Sequence, residues 1–235
     1  MEIHKPKALH GWREFVSEIG IIVVGVLIAL AAEQGVEWLH WREVVTVERK
    51  SLDGEVAFHW TALHSRAEMQ PCVDRRLAEL AALIARRDAG KPLGRLGPVG
   101  RPMYFGEDRS AWQMAVADQS LLHMSPALRG RYAGTMNSYD IFIGTANDER
   151  TAWLSLQQIN HAAVLSDADW SDVRRAYDKA ADANAVLKRA LVTNAKVEWL
   201  SNFDGFELPK TPDSLLGLPA VKDLCKPMMV SGPRG

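Results

Sequence analysis

The hydrophobic pattern begins with a run that has no polar face. From Ile19 to Ala32, 14 residues, no side chain carries a charge, an amide or a hydroxyl group. A helix over this run would be apolar on every side and would span roughly 21 Å. Extended to 15–36, the helix reaches roughly 33 Å, enough for a hydrocarbon core of about 30 Å. The pattern predicts a transmembrane anchor over 15–36.

Aromatic residues flank this segment. Trp12 and Trp38 are separated by 26 positions, which is about 39 Å of helix and close to a full bilayer of about 40–45 Å. Glu18 and Glu33 fall near the predicted interfaces, where a charge costs less than at the midplane. The residues predicted to form the anchor are Trp12, Phe15, Gly25, Leu27, Leu30, Trp38 and Trp41.

Two other interpretations of the run stay open. Ala29-Leu30-Ala31 has the A-x-A form of a signal-peptide cleavage site, although the stretch before the run is long and carries acidic residues. The run could also be a buried core helix of a soluble protein, although such a helix usually keeps one polar stripe. A transmembrane anchor is the favoured interpretation.

The pattern Glu18-Ile19, then Gly25 to Leu30, then Glu33-Gln34 resembles the anchor of a broad group of uncharacterised single-pass bacterial membrane proteins. That group shares an E-I-x5-G-I-L-I-A-L anchor followed by a helical region that faces away from the cytoplasm. The similarity covers about 25 residues, and a vaguer similarity runs on through Trp112, Tyr132 and 149–153. The resemblance implies an uncleaved anchor and no known activity.

Charge alone does not orient the anchor. Lys5, Lys7 and Arg13 precede it, and three basic residues follow within a comparable distance, so the positive-inside count is a tie. A short N-terminus before a long domain is the usual signal-anchor arrangement, and the family resemblance agrees. We therefore expect a bacterial inner-membrane protein with residues 1–14 in the cytoplasm and the C-terminal domain in the periplasm.

Helical periodicity continues beyond the anchor. Apolar residues at Val45, Leu52, Val56, Leu63 and Ala67 are 7, 4, 7 and 4 positions apart and share one helix face. The pattern predicts that the anchor continues as one helix to about Met69. Further helices are predicted over 71–89, 110–123, 126–160 and 167–203, with a loop over 90–109.

The predicted fold is all-α: a transmembrane helix that continues into an antiparallel bundle of about four helices over 37–203. Five prolines in 204–235 predict an irregular C-terminal tail with at most one helical turn near 220–224. Apolar residues make up 47% of the chain and the net charge is −1, so the composition gives no indication of nucleic acid as a partner.

The only two cysteines, Cys72 and Cys225, are 153 positions apart and form no zinc or redox motif. In an oxidising compartment they are a possible disulfide that would hold the tail against the helix that carries Cys72.

No catalytic template fits the chain. There is no nucleophile elbow, phosphate loop or zinc-protease motif. The pairs Glu55–His59 and His64–Glu68 have a spacing that can touch a metal, but surface helix contacts are commoner. Asp167, Asp169 and Ser171 resemble part of a calcium loop but fit a capped helix start better. Five tryptophans are expected to be core residues rather than a ligand pocket: Trp60, Trp112, Trp153, Trp170 and Trp199.

These observations favour a membrane-anchored interaction, scaffold or accessory subunit that contacts the lipid bilayer and a protein partner or a second copy of itself. No enzymatic activity, metal or cofactor is expected. The alternatives are a ligand-sensing bundle that acts through a partner and a secreted helical protein with a cleaved signal peptide.

Overall fold

The computed structural model describes residues 11–194, 206 and 213–229, and these residues form an all-α fold. The helices are α1 (Trp12–Asp88), α2 (Ser110–Ala117), α3 (Pro126–Leu156), α4 (Asp167–Asn194) and α5 (Pro219–Cys225). Short 3₁₀ helices lie at Ser120–His123, Gln157–Val164 and Leu215–Gly217. Within the described ranges the only β-type pairing is one isolated bridge, between Leu96 and Met229. The predicted fold class is confirmed.

Helix α1 organises the molecule because α2, α3, α4 and α5 all pack against it. It contains 77 residues and is therefore about 115 Å long. Its residues 12–40 are all exposed, and the first fully buried side chain is Leu52. The helix therefore has two parts. Residues 12–40 are hereafter the exposed half, and residues 41–88, the buried half, form one wall of the bundle.

The predicted helix break before Pro71 is wrong, because α1 continues through Pro71 to Asp88. A proline inside a helix loses one backbone hydrogen bond and costs about 3 kcal/mol. Here Met69 and Val73, on either side of Pro71, are fully buried, while Pro71 itself is exposed. Packing on both sides therefore offsets the local cost, which a local sequence signal does not reveal.

Helices α3 and α4 begin where capping residues predict. The Ser125 hydroxyl accepts a hydrogen bond from the Leu128 amide, with Pro126 in the first turn of α3. At the start of α4, Ser166 and Asp169 exchange side-chain and backbone hydrogen bonds, as in a capping box. The predicted end of this helix near Phe203 lies outside the described residues.

The helix predicted over 110–123 is two elements instead. Helix α2 ends at Ala117, and a 3₁₀ helix follows from Ser120. Between them Gln119 has φ 65°, a left-handed conformation that separates α2 from the 3₁₀ helix. Residues 110–124, hereafter the α2 corner, cover one face of α1 at the end of the bundle nearest the exposed half.

The hydrophobic core forms three clusters along the buried half of α1. The cluster nearest the exposed half contains Leu52, Val56, Trp60, Tyr132 and Met136. The middle cluster joins α1 to α3 and α4, and the far cluster contains Leu77, Leu80, Trp153, Trp170 and Leu224. Trp60, Trp153 and Trp170 are at most 3% exposed, so the prediction that they are core residues is confirmed. Trp199 lies outside the described residues.

The C-terminal segment is more regular than predicted. Helix α5 packs beside α1 and against the loop 90–109. Gly100, with φ +65°, lies so close to this helix that a Cβ atom there would be 2.2 Å from the Leu224 amide nitrogen. The backbone of the loop and that of α5 can approach this closely only because residue 100 has no side chain.

Candidate functional site

The exposed half of α1 carries every residue predicted to form the anchor except Trp41. Trp12 is 77% exposed, Leu27 58% and Trp38 61%, and the Arg42 guanidinium lies 5.4 Å from the centre of the Trp38 ring system. Leu30 and Phe15 are also exposed, and no other part of the described chain comes within 4 Å of a Cβ built on Gly25. In the described ranges α1 alone is long and apolar enough to cross a membrane.

The exposed half meets the bundle at Trp41, which is partly buried. Its ring stacks on His123 at 3.7 Å between centres, with planes 10° apart. From here on, partial burial recurs at 41, 44, 45, 48 and 49, which is one stripe of a helix. The α2 corner covers this stripe, so the α1 environment changes from exposed on all sides to buried on one side.

A buried ion pair joins α1 to α3. Arg66 donates to the Glu149 carboxylate at 2.8 Å, and their side chains are only 3% and 0% exposed. The Tyr104 hydroxyl also donates to Glu149, at 3.3 Å, which brings in the loop 90–109. Burial and the Glu149 charge both raise the pKa of Tyr104, so this phenol stays protonated and keeps donating.

The ion pair continues into a polar chain that reaches α4. Arg66 also donates to the Asn184 side-chain oxygen at 3.1 Å, and Gln70 donates to the same oxygen at 2.9 Å. Gln70 and Asn184 both donate to Asp74, which Lys188 contacts at 2.7 Å from the solvent side. These hydrogen bonds hold the pKa of Asp74 below its usual value despite its burial. The network therefore fixes the register of three helices.

Nearer the exposed half, α1 uses Glu55 and His59 to hold the loop and the start of α2. Glu55 accepts hydrogen bonds from the amides of Ala111 and Trp112, at 2.8 and 3.1 Å, and so caps α2 from another helix. His59 Nε2 lies 2.8 Å from the Asp108 carbonyl oxygen, and its ring stacks on Tyr139 at 3.5 Å. Both residues are buried, contrary to the expectation of surface contacts.

Burial governs the titration of this cluster. It lowers the pKa of His59, partly opposed by the bond to Asp108, and it raises the pKa of Glu55 despite two backbone donors. It also raises the pKa of the Tyr139 phenol. His59 is therefore neutral where it stacks on Tyr139, and the interior resists its protonation.

In the C-terminal part of α1, a disulfide joins Cys72 to Cys225, with Cα atoms 4.7 Å apart. One turn along α1, the fully buried Arg76 donates to the carbonyl oxygens of Pro98 and Val99 in the loop and of Asp223 in α5. Arg76 also pairs with Glu79 at 2.8 Å. The covalent bond and one guanidinium thus hold both irregular segments against the helix.

A surface groove of about 980 Å³ runs between α3 and α4. Its floor includes the buried Ala152 and Ala183, and its rim carries charges of both signs, among them Asp148, Arg175 and Lys179. It is open along its length, so it offers a contact surface rather than an enclosed chamber for a small molecule.

Sequence analysis missed the buried arginines. Arg66 and Arg76 each lie three positions after a buried apolar residue, Leu63 and Val73, so both fall on the apolar stripe of α1. An arginine on the apolar stripe of a helix is the signal that could have indicated burial. Because a guanidinium has five N–H donors, such an arginine also indicates several acceptors nearby. Over the described ranges, no three His, Cys, Asp or Glu side chains form a group able to hold a metal ion.

Comparison of the chain with protein-family models, with curated proteins and with solved structures gives no match.

Replacing Glu149 with Gln should destabilise the bundle by about 3 kcal/mol, because the buried Arg66 charge loses its counter-charge. Urea unfolding of the detergent-solubilised chain measures the change. The matched control is Asp172→Asn, which breaks the exposed pair with Arg175 and should cost less than about 1 kcal/mol. Equal losses in the two variants would contradict the structural role of the buried pair.

Stability should fall as pH drops below about 6.5, the ordinary pKa of His59, because the unfolded chain takes up a proton that the buried ring resists. The loss from this group is at most about 1.4 kcal/mol per pH unit. His59→Phe should flatten the slope between pH 5 and 7 in urea titrations, roughly the range in which histidine titrates. His40→Phe, at an exposed position of α1, should keep it. An unchanged slope in His59→Phe would contradict this assignment.

Replacing both cysteines with serine should lower stability by about 4–5 kcal/mol, the chain-entropy value for a loop of this length. Unfolding midpoints with and without reductant measure the effect. Reductant should shift the unaltered chain by a similar amount and leave the double variant unmoved. Free thiols at both cysteines in non-reducing peptide maps of cell-derived protein would refute the pairing.

Proposed function

We propose that this chain is a single-pass membrane protein whose helical bundle works outside the cytoplasm as an interaction or scaffold subunit. The observation that carries the proposal is the exposed apolar half of α1. Ten large aliphatic side chains between Val16 and Leu30 are each at least 44% exposed. At about 1.5–3 kcal/mol for each such side chain, leaving them in water costs on the order of 15–30 kcal/mol.

That cost favours an anchored protein over a soluble one. The bundle does not recover this free energy, because residues 12–40 of α1 are exposed and none of them packs into its core. A soluble core helix would bury these side chains, but none of the most hydrophobic 18-residue stretch of α1 is buried. A bilayer supplies the missing apolar surroundings, and the separation of Trp12 from Trp38 matches its thickness.

The disulfide favours the outer side of the membrane. Cys72 and Cys225 are paired, and protein disulfides persist mainly in oxidising compartments such as the bacterial periplasm. Both lie on the bundle side of the apolar segment, so the bundle faces that compartment and residues 1–14 face the cytoplasm. The resemblance of the Glu18 to Gln34 pattern to single-pass anchors supports the same topology.

An uncleaved anchor is preferred over a signal peptide. Ala29-Leu30-Ala31 lies inside one uninterrupted helix that continues into the bundle. The same continuity rigidly connects the lipid-embedded half to the bundle, which suits an anchor that positions a domain. A cleaved leader has no need for such a connection.

The interaction role follows from the surface rather than the interior. The polar groups between α1, α3 and α4 are engaged with one another, as the chain from Arg66 to Lys188 illustrates. The groove between α3 and α4 is open and carries charges of both signs, as expected of a contact surface for a protein partner or a second copy. Ligand sensing, by contrast, would favour an enclosed pocket of convergent groups.

The protein should stay in membranes during alkaline carbonate washing, with its N-terminus preceding Ala32. Arginines at both Leu27 and Ile28 should release it, since each costs about 2.5–3.5 kcal/mol at the helix centre. The matched control is Val47→Arg, at an exposed position outside the segment, which should stay membrane-bound. A mature protein that begins at Ala32, or quantitative release by carbonate, would refute the anchor.

Crosslinking in native membranes should recover a stoichiometric protein partner or a homo-oligomer. Charge reversal at Arg175 and Lys179, on the rim of the groove, should weaken that association. Reversal at Lys91, an exposed basic residue just after α1, serves as the control. Recovery of monomer alone would count against an interaction role.

A C-terminal alkaline phosphatase fusion should be active, because the enzyme folds only outside the cytoplasm. An inactive fusion would reverse the proposed topology.

A further inference from the structure

The α2 corner descends along α1 toward the apolar segment, and two contacts fix its path. At its upper end the Ala111 amide bonds to Glu55. At the bottom His123 stacks on Trp41. The corner therefore runs antiparallel to α1. It follows α1 from Glu55 to Trp41, which is 14 positions or about 21 Å of helix.

The bottom of the corner is the part of the bundle that lies nearest the apolar segment. Trp41 comes three residues after Trp38, a rise of about 4.5 Å. Helix α3 starts just above this level and climbs away from it: the Tyr132 hydroxyl bonds to Asp53, and Glu149 pairs with Arg66. If Trp38 lies at a bilayer interface, the turn at Ser120–His123 lies at headgroup depth.

This turn carries one apolar side chain, Leu122, that does not pack into the core of the bundle. Its neighbours Leu121 and Met124 are 8% and 5% exposed and belong to the core. Leu122, between them in sequence, is 64% exposed and sits beside the Trp41–His123 stack. Higher on the same corner, Met114 and Val116 are 61% and 53% exposed.

We propose that the bottom of the α2 corner rests on the bilayer surface, with the Leu122 side chain in the interfacial region. This inference depends on the proposed anchor, because the bilayer is reached by continuity with the apolar segment. Three exposed apolar side chains are far too few for a stable protein interface, which buries about 1,200–2,000 Å². A planar lipid surface already positioned by the anchor needs only such small additional contacts.

A second contact with lipid has a mechanical consequence. A single helix leaves its attached domain free to tilt and rotate about the anchor. The corner touches the surface on one side of α1 only, so it selects one orientation. The groove between α3 and α4 would then face a fixed direction relative to the membrane.

The test is site-specific photocrosslinking of the full chain in vesicles of phosphatidylethanolamine with a minority of phosphatidylglycerol. A benzophenone amino acid replaces Leu122, Leu27 or Leu154 in three separate proteins. Leu27 reports on the anchor, and Leu154, 51% exposed on α3 far from the apolar segment, is the matched control. Exposed positions tolerate the substitution, and circular dichroism checks the fold. Intact mass spectrometry identifies each adduct.

Lipid adducts at positions 27 and 122, with none at 154, would support the proposal. Lipid at position 27 but not at 122, or a protein adduct at 122, would overturn it while leaving the anchor intact. Lipid at 154 as well as at 122 would mean unspecific contact and would also overturn it. Absence of lipid at position 27 would instead refute the proposed anchor itself.

Discussion

The structure depends on the continuity of α1 across a change of surroundings. One helix of 77 residues carries an N-terminal half with no buried side chain and a C-terminal half that contributes to all three core clusters. A helix satisfies its own backbone hydrogen bonds whether it stands alone or packs against other helices, so α1 can pass from the exposed half to the bundle without a break. The stripe that begins at Trp41 marks the change, because from there burial is confined to one face.

The bundle is held to α1 by polar groups as much as by apolar packing. Glu55 caps α2, Arg66 pairs with Glu149 on α3, and Arg76 donates to the carbonyls of the loop and of α5. Each needs a specific partner at a specific height, because an unpaired buried charge costs several kcal/mol. Apolar side chains alone would tolerate a shift along α1, whereas these partners do not.

This arrangement bears on what the bundle does. Glu55, Arg66 and Arg76 fix register in the interior, whereas the outer surfaces are open to contacts with other molecules. Two such surfaces stand out: the groove between α3 and α4 and the bottom of the α2 corner. In the proposed topology the corner sits on lipid and holds the groove in a fixed direction, so one surface would orient the other.

Sequence alone determined the elements whose signals are local. The all-α class, the apolar segment, the loop 90–109 and the caps at Ser125 and Ser166 all follow from periodicity and capping chemistry, which act within a few residues. Tertiary structure decided the rest. Pro71 stays inside α1 because buried neighbours hold both sides, Gln119 splits a predicted helix, and Arg66 and Arg76 are buried because acceptors distant in sequence converge on them. Such outcomes rest on partners more than 80 positions away for Arg66 and nearly 150 for Arg76 at α5, which no local pattern encodes.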